Sequence, residues 1–140
     1  MENNQSTEIV KTQTINNNDT YCSFKPKTTE ERKALFNASE KCDVVLNDIV
    51  GQEVAVKHVM INQYPRTDKD TGEKISNGHR TILFDDKGKT YVTASNYFYI
   101  AIGKLISLMG DPSEWNEPIK IKIVKKDVKD GKKALGFELV

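Results

Sequence analysis

The residues of this chain best suited by type and spacing to do chemistry are tyrosines set among cations. Tyr64 stands two residues before Arg66, and Tyr91 two residues after Lys89. In extended backbone each ring therefore shares a face with a positive charge. Flat rings offer stacking platforms to planar ligands, and ammonium or guanidinium groups neutralise phosphates. Lys57, Arg80, Lys120, Lys122, Lys125 and Lys132 complete the candidate set. Either tyrosine would serve equally well as an amphipathic ring covering the end of a barrel.

Other chemistries find little support. His58, His79, Cys22 and Cys42 are spaced too widely for a zinc site. There is no phosphate-binding loop, dinucleotide turn, nucleophile elbow or HExxH helix. Asp85 and Asp86 fall in a DDKG tight-turn sequence. The chain is expected not to be an enzyme and to use neither metal nor cofactor. Two cysteines fit a reducing compartment, and Cys42 falls on an apolar stripe as a small hydrophobe.

Several elements must position these residues. Residues 1–20 are rich in Asn, Gln and Thr and read as a flexible arm, or a loosely docked strand, before a single domain over 21–140. Thr28 and Glu31 have capping-box spacing, and Leu35, Ala38, Cys42, Val45 and Ile49 follow at helical intervals. One amphipathic helix is expected over about 28–50. From Val54 the pattern turns to strand, VAVKHVMINQY, with a slip at Lys57 and His58 that a bulge would explain.

PRTDKDTGEKISNG, residues 65–78, reads as a long polar loop. HRTILF and KTYVTA follow as second and third strands, with Tyr91 expected to point outward. A helix capped by Ser95 or Asn96 should run from Tyr97 to Met109 and close at Gly110. Phe98 and Phe137 are expected in the core, Phe84 fits either face, and Trp115 should plug the bottom of the barrel. IKIKI at 119–123 and ALGFELV at 134–140 form a closing basic hairpin.

Strand, strand, strand, helix, strand, strand is the order of the OB-fold. The expected class is mainly β (α+β): a five-stranded OB-fold barrel with a helix between strands 3 and 4, preceded by an N-terminal helix. An SH3-like barrel or a plain α+β sheet would give a similar string.

The 140 residues carry 21 Lys+Arg against 20 Asp+Glu, net +1, which gives no global polarity. Locally the picture differs. Residues 119–140 hold seven Lys against three acids (+4), and 54–94 hold seven basic residues against five acidic (+2), which leaves −5 for the remainder. Charge is thus basic on the strands and loops where this fold receives oligonucleotides or oligosaccharides. A lysine-rich edge hairpin that merely blocks edge pairing remains an equal reading of the charge alone. The amino terminus lacks the pattern of a secretory signal and the longest apolar stretch is too short to span a bilayer, so a cytoplasm is expected, with no membrane partner.

The runs YCSFKP at 21–26, LFNAS at 35–39, GKTYVTAS at 88–95 and WNEPIKIKI at 115–123, with the closing hairpin, resemble the small replicative single-stranded DNA-binding proteins of tailed bacteriophages. The resemblance covers about 21–140. It implies an OB-fold that coats single-stranded DNA during phage replication in a bacterial host cytoplasm, by aromatic stacking in a basic groove. Carried over by position, the stacking residues are Tyr91 and Tyr64. Phage replisome proteins are further candidate partners, and a monomer is favoured. Cellular bacterial single-strand binders end in an acidic recruiting tip, whereas GFELV looks like a strand. An OB-fold that binds a host or replisome protein, or RNA, is the alternative.

Overall fold

The structure, a computed structural model, describes residues 14–15 and 18–140, with side chains from Thr20 onward except those at 64–66 and 74–77. The segment read as an arm lies largely outside the described residues. Strands β1 (Thr14–Ile15), β2 (Asn18–Cys22), β3 (Val44–Val45), β4 (Glu53–Thr67), β5 (Lys74–Asp85), β6 (Thr90–Thr93), β7 (Ile119–Asp127) and β8 (Lys133–Leu139) form one curled half-barrel sheet. Helices α1 (Thr29–Glu40) and α2 (Asn96–Met109) pack on it.

β4 organises the sheet because it is long enough to be shared. β5 pairs along one edge, while the other edge takes β7 at Glu53–Val56 and β2 at Met60–Asn62. The register shifts between Val56 and His58, so the slip in the sequence is a bulge at Lys57. β6 pairs with β5 and β8 with β7. Among the described residues no ladder joins β6 to β8, and α2 packs against β5 and β8 there.

Ser95 caps α2 by accepting from the Phe98 amide at 3.1 Å, and Gly110 ends it at φ +89°, a conformation glycine adopts without strain. Phe98 and Ile102 are fully buried among Val54, Val56, Val59, Leu83, Ile121 and Ile123 inside the curl. Each such side chain contributes about 1.5–3 kcal/mol. α1, held at its start by the Thr28–Glu31 capping box, covers the opposite face of the sheet. There Leu35 packs with Met60 and Ile82, flanked by Phe24, Phe84 and Val92.

Several expectations need correction. α1 ends at Glu40 instead of continuing to residue 50, because Lys41 is extended (φ −148°, ψ 107°) and Val44–Val45 leave the helical path to pair in parallel with Tyr91 and Val92. The Asp43 carboxylate fixes that exit by accepting from the amide and hydroxyl of Thr90 at 2.9 and 3.1 Å. The loop expected over 65–78 is mostly strand. β4 and β5 continue as a ribbon to the rung Thr67–Lys74, and Asp68 closes the turn by accepting from the amides of Asp70 (2.7 Å) and Thr71 (3.1 Å). Residues 18–20, at the end of the segment read as an arm or a loosely docked strand, open β2, where Thr20 pairs with Asn62.

Candidate nucleic-acid interface

The β4–β5 ladder continues to the rung Thr67–Lys74, and two grooves flank its base. On the inner face, a groove of about 400 Å³ runs between α2 and strands β2, β4 and β5, lined by Tyr21, Ile61, Gln63, His79, Tyr99 and Ile106. The His79 and Tyr99 rings are stacked, with centroids 3.7 Å apart and planes 7° from parallel. On the outer face, a groove of about 550 Å³ is lined by Thr20, Ser39, Asn62 and Arg80. Asn62–Arg80 and Gln63–His79 are adjacent rungs of one ladder, and Gln63 lines both grooves.

Arg80 projects along the outer face because Ile82 and Phe84 share its parity beneath α1. Its guanidinium donates to the Ser39 carbonyl at 2.9 Å, near the end of α1. Burial pushes the His79 pKa below its ordinary value. Its Nδ1 is buried without a partner, while Nε2 lies 3.4 Å from the Gln63 amide nitrogen. Tyr21 donates to Asp111 Oδ2 at 2.7 Å and so ties β2 to the α2–β7 linker. Burial, with the Asp111 bond next, raises the Tyr21 phenol well above its usual range. Burial works against the Asp111 carboxylate, but bonds from Ser113 and Tyr21 hold it below the usual carboxylate value.

Tyr91 does not point outward. Only 9% of it is exposed, its ring belongs to the inner core, and its hydroxyl donates to Asp85 Oδ2 at 2.9 Å. The physical reason is α1: with a second apolar cluster on the outer face, Val92 packs outward under the helix and Tyr91 turns inward. Asp85 is a turn residue, accepting also from the amides of Lys87 and Lys89 at 2.9 and 2.8 Å. Phe84 lies on the outer face, edge-on to Phe24.

The candidate cations are spread over β4, β5, β7 and two turns and are not gathered in one groove among the described residues. Lys57 is exposed at the bulge and Lys89 beside the β5–β6 turn, while Lys132 is exposed in the β7–β8 turn. Lys122 alternates with Lys120 along the exposed side of β7. Lys120 approaches Glu53 at 3.8 Å, and Lys125 donates to Asn47 Oδ1 at 3.1 Å. Tyr64 and Arg66 occupy ladder positions opposite Gly78 and Ser76, and their side chains lie outside the described ones.

Sequence reasoning did not single out Tyr99 and His79, which line the inner groove. The run NYFYI at the start of α2 held the signal, because a buried Phe98 places its two neighbours on either flank of the helix. Tyr97 rests on Gly136, where an added Cβ would come within 3.1 Å of the ring and 3.5 Å of Lys126.

The inner groove thus offers stacked rings and an amide to planar groups, and the outer groove a guanidinium to anions. A family model described as Phage Single-stranded DNA-binding protein matches residues 14–140. The chain belongs to this family. Comparison with curated proteins and with solved structures finds no match. In this phage single-stranded DNA-binding protein, no group of three or more His, Cys, Asp or Glu could hold a metal ion among the described residues. No described helix is long and apolar enough to cross a membrane.

Proposed function

We propose that the chain binds single-stranded DNA without sequence preference and coats it during phage DNA replication, as a non-catalytic monomer in the host cytoplasm. Strands β4–β8 and α2 then correspond to a five-stranded OB-type barrel left open between its third and fifth strands, with α1 and β1–β3 as additions. The observation that carries the reading is the paired grooves at the base of the β4–β5 ribbon, one aromatic and one bearing Arg80. Bases stack on Tyr99, and on Tyr64 along the ribbon, because every base has a stackable face.

Phosphates are neutralised by Arg80 and Arg66 near the ribbon and, as the strand wraps, by Lys57, Lys89, Lys120, Lys122, Lys125 and Lys132. Tyr91 serves indirectly by holding the Asp85 turn beside Lys89. Near-neutral net charge makes the affinity moderate and dependent on stacking. Titration of tyrosine fluorescence with oligo-dT at several salt concentrations tests the reading. If about four phosphates are neutralised, log affinity falls against log salt with a slope near −3. A salt-independent affinity, or no quenching, overturns it.

A further inference from the structure

A third groove lies away from the ribbon, where the C-terminal end of α2 meets the start of β7 and the end of β8. It encloses about 610 Å³ and is lined by Met109, Trp115, Pro118, Ile119, Leu139 and Val140, with Glu114 and Glu117 on its rim. Met109 and Leu139 are about half exposed, at 49% and 52%, and Val140 more so at 67%. These exposed aliphatics stand beside polar lining from Asn116 and Lys120, a mixed surface of apolar contacts with charge around them.

Two bonds fix the groove's aromatic wall. The Trp115 indole nitrogen donates to the Met109 and Gly110 carbonyls at 3.1 and 3.0 Å, so one edge is satisfied by backbone. The ring packs against the inner core and also lines the groove. A rigid aromatic anchor beside exposed aliphatics is the arrangement that concentrates binding energy at an interface.

The charge around the groove selects the occupant. The linker 110–118 carries Asp111, Glu114 and Glu117 and no Lys or Arg. Asp111 is engaged with Tyr21 and Ser113, whereas Glu114 and Glu117 are exposed, and the one cation on the wall, Lys120, faces Glu53. A nucleic-acid strand is repelled by this rim. The basic β7–β8 turn stands at the opposite end of β7, about 26 Å away at the rise of an extended strand. The groove and that basic turn can therefore be occupied together.

We propose that the Trp115 groove docks a short apolar segment flanked by Lys or Arg, presented by a partner protein, leaving the two grooves at the base of the ribbon free. Trp115 is the sole tryptophan of the chain, so its emission reports occupancy directly. The full chain is titrated with a synthetic peptide of alternating Leu and Lys, and with its Leu–Glu counterpart. The Leu–Lys peptide is expected to shift Trp115 emission saturably and the Leu–Glu peptide to leave it unchanged.

The double variant E114Q/E117Q should weaken the Leu–Lys peptide about 5-fold, the scale of two exposed ion pairs, with oligo-dT affinity unaltered. L139S, an exposed change that leaves the core intact, should weaken it as well. An emission that ignores the Leu–Lys peptide, or responds equally to both peptides, overturns the proposal. So does a shift with protein concentration alone, which would make the groove an interface between copies. Failure of DNA binding in the same preparation would count against the proposed function and leave this inference standing.

Discussion

The imidazole of His79 lies flat on the ring of Tyr99, with centroids 3.7 Å apart, and joins β5 to the first turn of α2. The stack builds a wall of two rings in a groove of about 400 Å³. Removing the outer ring by Y99A should weaken oligo-dT binding by roughly 1–3 kcal/mol, about 5- to 150-fold, while Y99W holds or improves it. Fluorescence anisotropy with labelled oligo-dT measures both, and an unchanged affinity for Y99A places the DNA elsewhere.

The same histidine makes stability depend on pH. Burial lowers the pKa of His79, and burial together with the neighbouring Lys57 lowers that of His58. Below about pH 6.5 the unfolded chain therefore binds protons that the folded chain refuses. Stability is complete above that value and declines as pH falls through it, levelling off once the depressed folded pKa values are passed. Thermal unfolding should show a lower Tm at pH 5 than at pH 7.5, and H79F, which keeps a flat ring there, should make that decline shallower.

How far the molecule was legible in its sequence followed from where its apolar surfaces face. α2 could be read to its ends because the Ser95 cap, the Phe98–Ile102–Leu105 stripe and Gly110 all agree. The bulge at Lys57 and the β7–β8 hairpin were equally open, since one buried side leaves strict alternation. Tyr91 was misread because β6 is covered on both faces, which erases the polar side that alternation needs. Val45 fitted a helical stripe, but the pairing of Val44 and Val45 with β6 outweighed local preference. The ribbon beyond Tyr64 looked like loop because its sequence, PRTDKDTGEKISNG, is almost wholly polar and rich in turn residues. The groove itself was hidden for another reason: Tyr21, Gln63, His79 and Tyr99 meet only when three strands and a helix converge.

Tyr91 and Asp85 offer a control for stacking. Burial, then the bond to Asp85, pushes the Tyr91 phenol up to about 12. Y91F keeps the ring in the core and removes only the donor to Asp85, which retains its bonds from Lys87 and Lys89. It should cost about 1 kcal/mol of stability in urea denaturation and leave oligo-dT affinity within about twofold of wild type. A loss of affinity as large as that of Y99A would put Tyr91 in direct contact with DNA and sink the inward assignment.

Arg80 separates phosphate binding from scaffold. Its guanidinium uses one donor on the Ser39 carbonyl and lines the outer groove with the rest of its fork. If it neutralises one phosphate, R80Q should make the slope of log affinity against log salt shallower by about 0.7, the single-strand value for one contact. R80K keeps the charge and should preserve most of the slope, although it loses the fork geometry that bridges α1 and DNA. A purely structural Arg80 predicts a different pattern: R80Q would lower the urea midpoint by releasing the end of α1, with the salt slope unchanged. Measuring the slope and the midpoint on the same two variants decides between the roles, because a midpoint responds to the Ser39 bond and a salt slope only to counterions released from DNA.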